Sequence, residues 1–109
     1  MPDEKVEQSV KQNEIIYLVQ GQTGINEDMR YWNVAGFKTK ELALDFIAKC
    51  EQEAERVLIE INSLKEPSYN YRFLVDEKKI DAHKYDIYFQ SDDSEYRYLC
   101  LPVKILTEF

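Results

Sequence analysis

Histidine occurs once in this chain, at His83, and cysteine twice, at Cys50 and Cys100. Nucleophilic catalysis pairs a Ser, Cys or Thr with a base, most often histidine. His83 lies in the polar stretch DEKKIDAH, where a solvated side chain is expected. A structural zinc site needs four Cys or His ligands at close spacing, and two cysteines fifty positions apart do not supply them. The same count excludes a disulfide framework, so both thiols are expected free and mostly buried, with Cys50 quietened by its place on an apolar helix stripe.

Glycine and proline are scarce, at three residues each among 109, which removes the collagenous and low-complexity classes. The segment GQTG, which holds two of the three glycines, lacks both the lysine of a phosphate loop and the spacing of a dinucleotide fingerprint. No apolar run approaches the roughly 20 residues that span a bilayer. The opening MPDEKVEQSVKQN is polar and has no apolar centre of a secretion signal, so a cytoplasmic location is expected.

Positive charge is also short. Fourteen basic side chains stand against 21 acidic ones, a net charge of −7. That field opposes approach to a phosphate backbone or an anionic membrane and attracts a basic protein partner.

What is present is a hydrophobic content of 44%, rich in aromatics, which fits one packed domain. Residues 1–13 carry few apolar side chains and are expected to be a flexible N-terminal segment, with a single α+β domain over 14–109. EIIYLVQ, apolar on both faces, suits a central strand. GQTGINEDMR supplies turn formers before a second strand in YWNVAGF. From Thr39, placed as a helix N-cap, the apolar period lengthens towards four. Ala43, Phe46, Ile47, Cys50, Ala54, Val57 and Ile61 then share one side of a helix reaching about Leu64. Strand signals resume in YRFLV, and KYDIYFQ with YRYLCLPVKIL reads as a hairpin closed by SDDSE. The expected order is β-β-α-β-β-β, one amphipathic helix on a mostly antiparallel sheet.

Two motifs touch on metal chemistry. Asp92, Asp93 and Glu95 lie close together, but the alternating ligands and central glycine of a calcium loop are missing. Glu77-Lys78-Lys79 after FLV resembles a fragment of a metal-dependent nuclease site, without an aspartate before it or a basic surface around it. A solvated turn and a charged loop are the readings adopted; no metal and no cofactor is expected.

Surface remains. Taking Ile87, Phe89, Leu99, Leu101 and Val103 as inward, strand alternation puts Asp86, Tyr88, Tyr96 and Tyr98 on the opposite face, rimmed by Asp92, Asp93 and Glu95. Tyrosine gives large contact area with few torsions to freeze, and nearby acids steer a cationic partner. The function expected is a small acidic, non-catalytic binding protein docking on a basic protein. In size and charge alone it is similar to inhibitors of nucleic-acid enzymes, of the toxin-immunity and phage anti-defence kinds. The rival expectation is a structural or regulatory module that homodimerises through its sheet face.

Overall fold

A computed structural model of the chain describes residues 14–24, 29–65, 70–90 and 96–106. Three strands form one antiparallel sheet: β1 (Glu14–Thr23), β2 (Arg30–Phe37) and β3 (Tyr96–Ile105), in the order β2-β1-β3. The apolar run EIIYLVQ thus takes the central position. Helix α1 (Lys40–Asn62) covers one face, and a short helix α2 (Tyr71–Asp76) follows it. The fold is α+β.

α1 begins where its cap chemistry allows. Thr39 is extended, and its hydroxyl accepts the Leu42 N–H at 3.2 Å, satisfying one of the otherwise unpaired first-turn donors. Of the predicted stripe, Ala43, Ile47, Cys50, Ala54, Val57 and Ile61 are buried and Phe46 is half-buried. The stripe serves two cores. Its first half packs with Val19 and Tyr98 of the sheet. Its second half packs with Tyr71, Leu74, Ile80 and Phe89. Each fully buried Leu, Val or Phe there contributes about 1.5–3 kcal/mol relative to exposure.

Two expected strands are absent. YRFLV is α2: the Asn70 side chain accepts the N–H groups of Arg72 and Phe73 at 2.8 and 3.2 Å, and Tyr71 and Leu74, three apart, are the buried pair. Four apolar residues interrupted by Arg72 fit either period, and here the cap decides. α2 ends in a Schellman arrangement, with Lys78 at a φ of 60° and the Lys79 N–H reaching the Leu74 carbonyl at 2.9 Å. Glu77-Lys78-Lys79 is therefore a helix terminus.

KYDIYFQ is irregular rather than extended. Asp86 and Phe89, three apart, are buried, the Phe89 N–H turns back to the Asp86 carbonyl at 3.2 Å, and Ile87 is exposed. The alternation on β3 is also the reverse of that expected. Tyr98 and Cys100 face α1, while Leu99, Leu101 and Val103 pair across β1 with Gln20, Leu18 and Ile16 on the other face.

Candidate functional site

Gly21 is the origin of the site. On β1 it stands opposite Trp32 of β2 and Tyr98 of β3, so the three form one row across the sheet. A Cβ on Gly21 would come within 2.4 Å of the Trp32 ring; the missing side chain is the space the indole occupies. From that row Trp32 Nε1–H and Tyr98 O–H both donate to Asp86 Oδ2, at 2.8 and 2.9 Å. Asp86 Oδ1 accepts the Tyr88 N–H at 3.0 Å. A carboxylate is costly to bury unless its lone pairs are satisfied, and three donors satisfy this one. Burial, then the Asp86 charge and hydrogen bond, pushes the Tyr98 phenol well above its ordinary value.

Here the outward placement of Asp86 and Tyr98 is corrected: both are buried and bonded to each other. The turn at residues 86–89 sends Asp86 inward with Phe89, and Tyr98 is buried because its face of β3 packs on α1. Tyr88 is exposed and Tyr96 is half-buried, its ring stacked on Phe89 with centroids 4.6 Å apart. Asp92, Asp93 and Glu95 lie outside the described residues.

His83 is buried as well, not solvated. Its Nδ1 accepts the N–H groups of Tyr85 and Asp86 at 3.1 and 3.0 Å, so the proton sits on Nε2, which donates to the Cys50 carbonyl at 2.9 Å. Nδ1 thus fixes the turn at 83–86, and Nε2 ties that turn to α1. Burial holds the imidazole below its ordinary value and neutral. The Cys50 thiol is pushed up to about 12, chiefly by burial and then by Asp86.

A second clamp ties the same segment to α1. Arg56 bonds Glu53 and Glu60 on its own helix, at 2.9 and 2.7 Å, and donates to the carbonyls of Asp81 and Ala82. Glu53 also accepts the Lys84 N–H at 3.2 Å. The Arg56 hydrogen bond, more than its charge alone, lowers the Glu53 carboxyl below the usual range.

These bonds fix the walls of two concavities that share Tyr96. One, of about 200 Å³, lies among Trp32, Tyr31, Tyr88 and Tyr96, with Thr23, Arg30 and Gln90 completing its lining. The other, a wider groove of about 600 Å³, runs between α1 and the edge strand β3, where Glu51, Glu55, Ala54 and Leu58 face Tyr96 and Arg97.

No family model, curated protein or solved structure matches this chain.

Among the described residues no group of three or more His, Cys, Asp or Glu side chains is placed to hold a metal ion. No described helix is long and apolar enough to cross a membrane. Trp32, Thr23, Glu53 and Arg56 were not singled out from the sequence. The one legible signal was a lone tryptophan opposite a strand glycine, and it becomes informative only with the β1–β2 register in hand.

Proposed function

We propose that the protein is a small, non-catalytic binding module that docks on a basic protein through the groove between α1 and β3. The observation that carries the reading is the pairing in that groove of Glu51 and Glu55 with the apolar surface of Ala54, Leu58 and Tyr96. Acids at a rim steer a cationic partner, and an aromatic at the centre supplies desolvated contact area. The net charge of −7 acts in the same direction at long range. Among the described residues β3 is an edge strand of the sheet, the arrangement alongside which an extended partner segment pairs.

Asp92, Asp93 and Glu95 immediately precede β3 in sequence and belong to the same reading, with Tyr88 as a further contact. Docking would block a surface that the partner uses for phosphates, an inhibitor's mode of action in the cytoplasm. Capture from extract of the source cells, with wild type beside Glu51→Lys/Glu55→Lys, tests it. A partner retained by wild type at low salt, lost at high salt and lost with the variant supports docking. Equal retention by the two proteins contradicts it.

A second reading is homodimerisation through the sheet face that α1 leaves bare. Ile16, Leu18, Leu99 and Leu101 meet there across β1 and β3, and no described element covers them. Sedimentation equilibrium separates the two readings. A concentration-dependent dimer abolished by Leu18→Lys favours the sheet face; a monomer at every concentration removes it.

A further inference from the structure

The groove between α1 and β3 is walled by backbone as well as by side chains. Among the described residues β3 pairs with β1 alone, so its other edge carries N–H and C=O groups with no strand beside them. Such an edge is a template for a further strand.

Pro102 identifies which groups those are. It has no N–H to give, and within a sheet proline occupies positions whose N–H would point away from the ladder. Pro102 stands in register with Tyr17 of β1, so its own backbone faces the open edge. Residues of an antiparallel strand alternate between bonding one neighbour and turning away from it. Tyr98 and Cys100, in step with Pro102, therefore present both N–H and C=O outward. Pro102 presents only a carbonyl and ends the row.

The pleat then fixes what lies over those groups. Tyr98 and Cys100 turn their side chains to α1, whereas Leu99 and Leu101 turn theirs to the face that α1 leaves bare. A strand added along this edge continues both faces. Its residues opposite Tyr98 and Cys100 reach over the groove to the flank of α1, where Glu51 and Glu55 are exposed one turn apart. Ala54 and Leu58 beside them give apolar surface for the stems of long basic side chains. The ion pairs described on α1 join Arg56 to Glu53 and Glu60, not to these two acids. The added residue opposite Leu99 joins the apolar face. Arg97, the cation of the groove's lining, belongs to that same pleat and disfavours a basic residue opposite itself.

We infer that the partner contributes an extended segment that pairs antiparallel with β3 at Tyr98 and Cys100, with a lysine or arginine opposite each and an apolar β-branched residue between them. The inference rests on the docking groove proposed above and adds the conformation, register and side-chain pattern of what fills it. Antiparallel is the direction of both pairings already in the sheet and the more stable one per residue. The ladder supplies affinity that is indifferent to sequence. The alternation supplies the choice of partner, since a basic residue moved by one place falls on the apolar face.

The test is a nuclear magnetic resonance titration of the isotope-labelled full chain with a short capped peptide, threonine-valine-lysine-valine-lysine-valine-threonine, beside an isomer whose two lysines are adjacent. Two further versions of the first peptide carry a single N-methyl group, either on a lysine or on the valine between the lysines, whose N–H points away from β3. The alternating peptide should move the signals of Glu51 and Glu55 and, at saturation, slow hydrogen exchange of the Tyr98 and Cys100 amides about tenfold or more. Methylating a lysine nitrogen removes a ladder bond and should weaken binding about tenfold, as should placing the lysines side by side. Methylating the valine should leave the affinity unchanged. Strand addition is overturned, with the groove intact as a docking site, if Glu51 and Glu55 respond but the two amides exchange as in the free chain. It is overturned equally if the isomer or the lysine-methylated peptide binds as tightly as the first. No response at Glu51 and Glu55 to either peptide overturns the strand and the groove together.

Discussion

The Trp32 indole occupies the space where a Gly21 side chain would be, and that vacancy lets it reach Asp86. Gly21→Ala gives a strand residue normally worth about 0.5–1 kcal/mol more than glycine, yet it should destabilise this protein. The added methyl must displace the ring, and Asp86 then loses one of its three donors. The expected loss is about 2–3 kcal/mol by urea denaturation, with a shift of tryptophan emission in the folded state.

Tyr98→Phe tests the other arm of the row. It removes the donor at 2.9 Å from Asp86 Oδ2 while keeping the ring in its pocket. A cost of about 1.5–3 kcal/mol is expected, the range for a hydrogen bond to a charged group. Combined with Trp32→Phe the effects should not add, because both donors serve one oxygen; the double-mutant cycle measures that coupling.

Stability should fall with acid in two stages. His83 titrates below its ordinary value of 6.5 in the fold, so the unfolded chain takes up the proton first. The stability that its neutral form contributes is complete above about pH 6.5 and is lost as pH falls through the lower folded value. Glu53, also lowered, contributes above its ordinary 4.5 and is lost below that. His83→Asn should flatten the first decline in melting temperature and leave the second.

How far the sequence carried this account depends on how local each signal is. α1 was legible because Thr39 and seven stripe positions over 19 residues all speak for one period. The β1–β2 hairpin was legible for the same reason, through turn formers between EIIYLVQ and the aromatic-bearing YWNVAGF. YRFLV was not, since Tyr71 and Leu74 at a separation of three are lost in a run that also alternates; the deciding signal was Asn70. Asp86 misled most. A charged residue two before Tyr88 reads as solvent-facing, and only Trp32, more than fifty positions away, and Tyr98 reveal that its burial is satisfied.

Lys78 offers a gain. Its φ of 60° is the left-handed region that glycine adopts without penalty, and it sits at the terminus of α2 with its side chain exposed. Lys78→Gly should stabilise by up to about 1 kcal/mol, and Lys78→Val should destabilise by more than about 1 kcal/mol. Thermal melts of the two variants beside wild type check the sign of each.

The most direct test of an acidic docking groove is a nuclear magnetic resonance titration of isotope-labelled protein with a lysine- and arginine-rich peptide, at low and high salt. The account predicts shifts concentrated at Glu51, Glu55, Leu58 and Tyr96, diminished by salt and absent in Glu51→Lys/Glu55→Lys. Shifts spread evenly over the surface, or centred on the sheet face of Leu18 and Leu101, would contradict it.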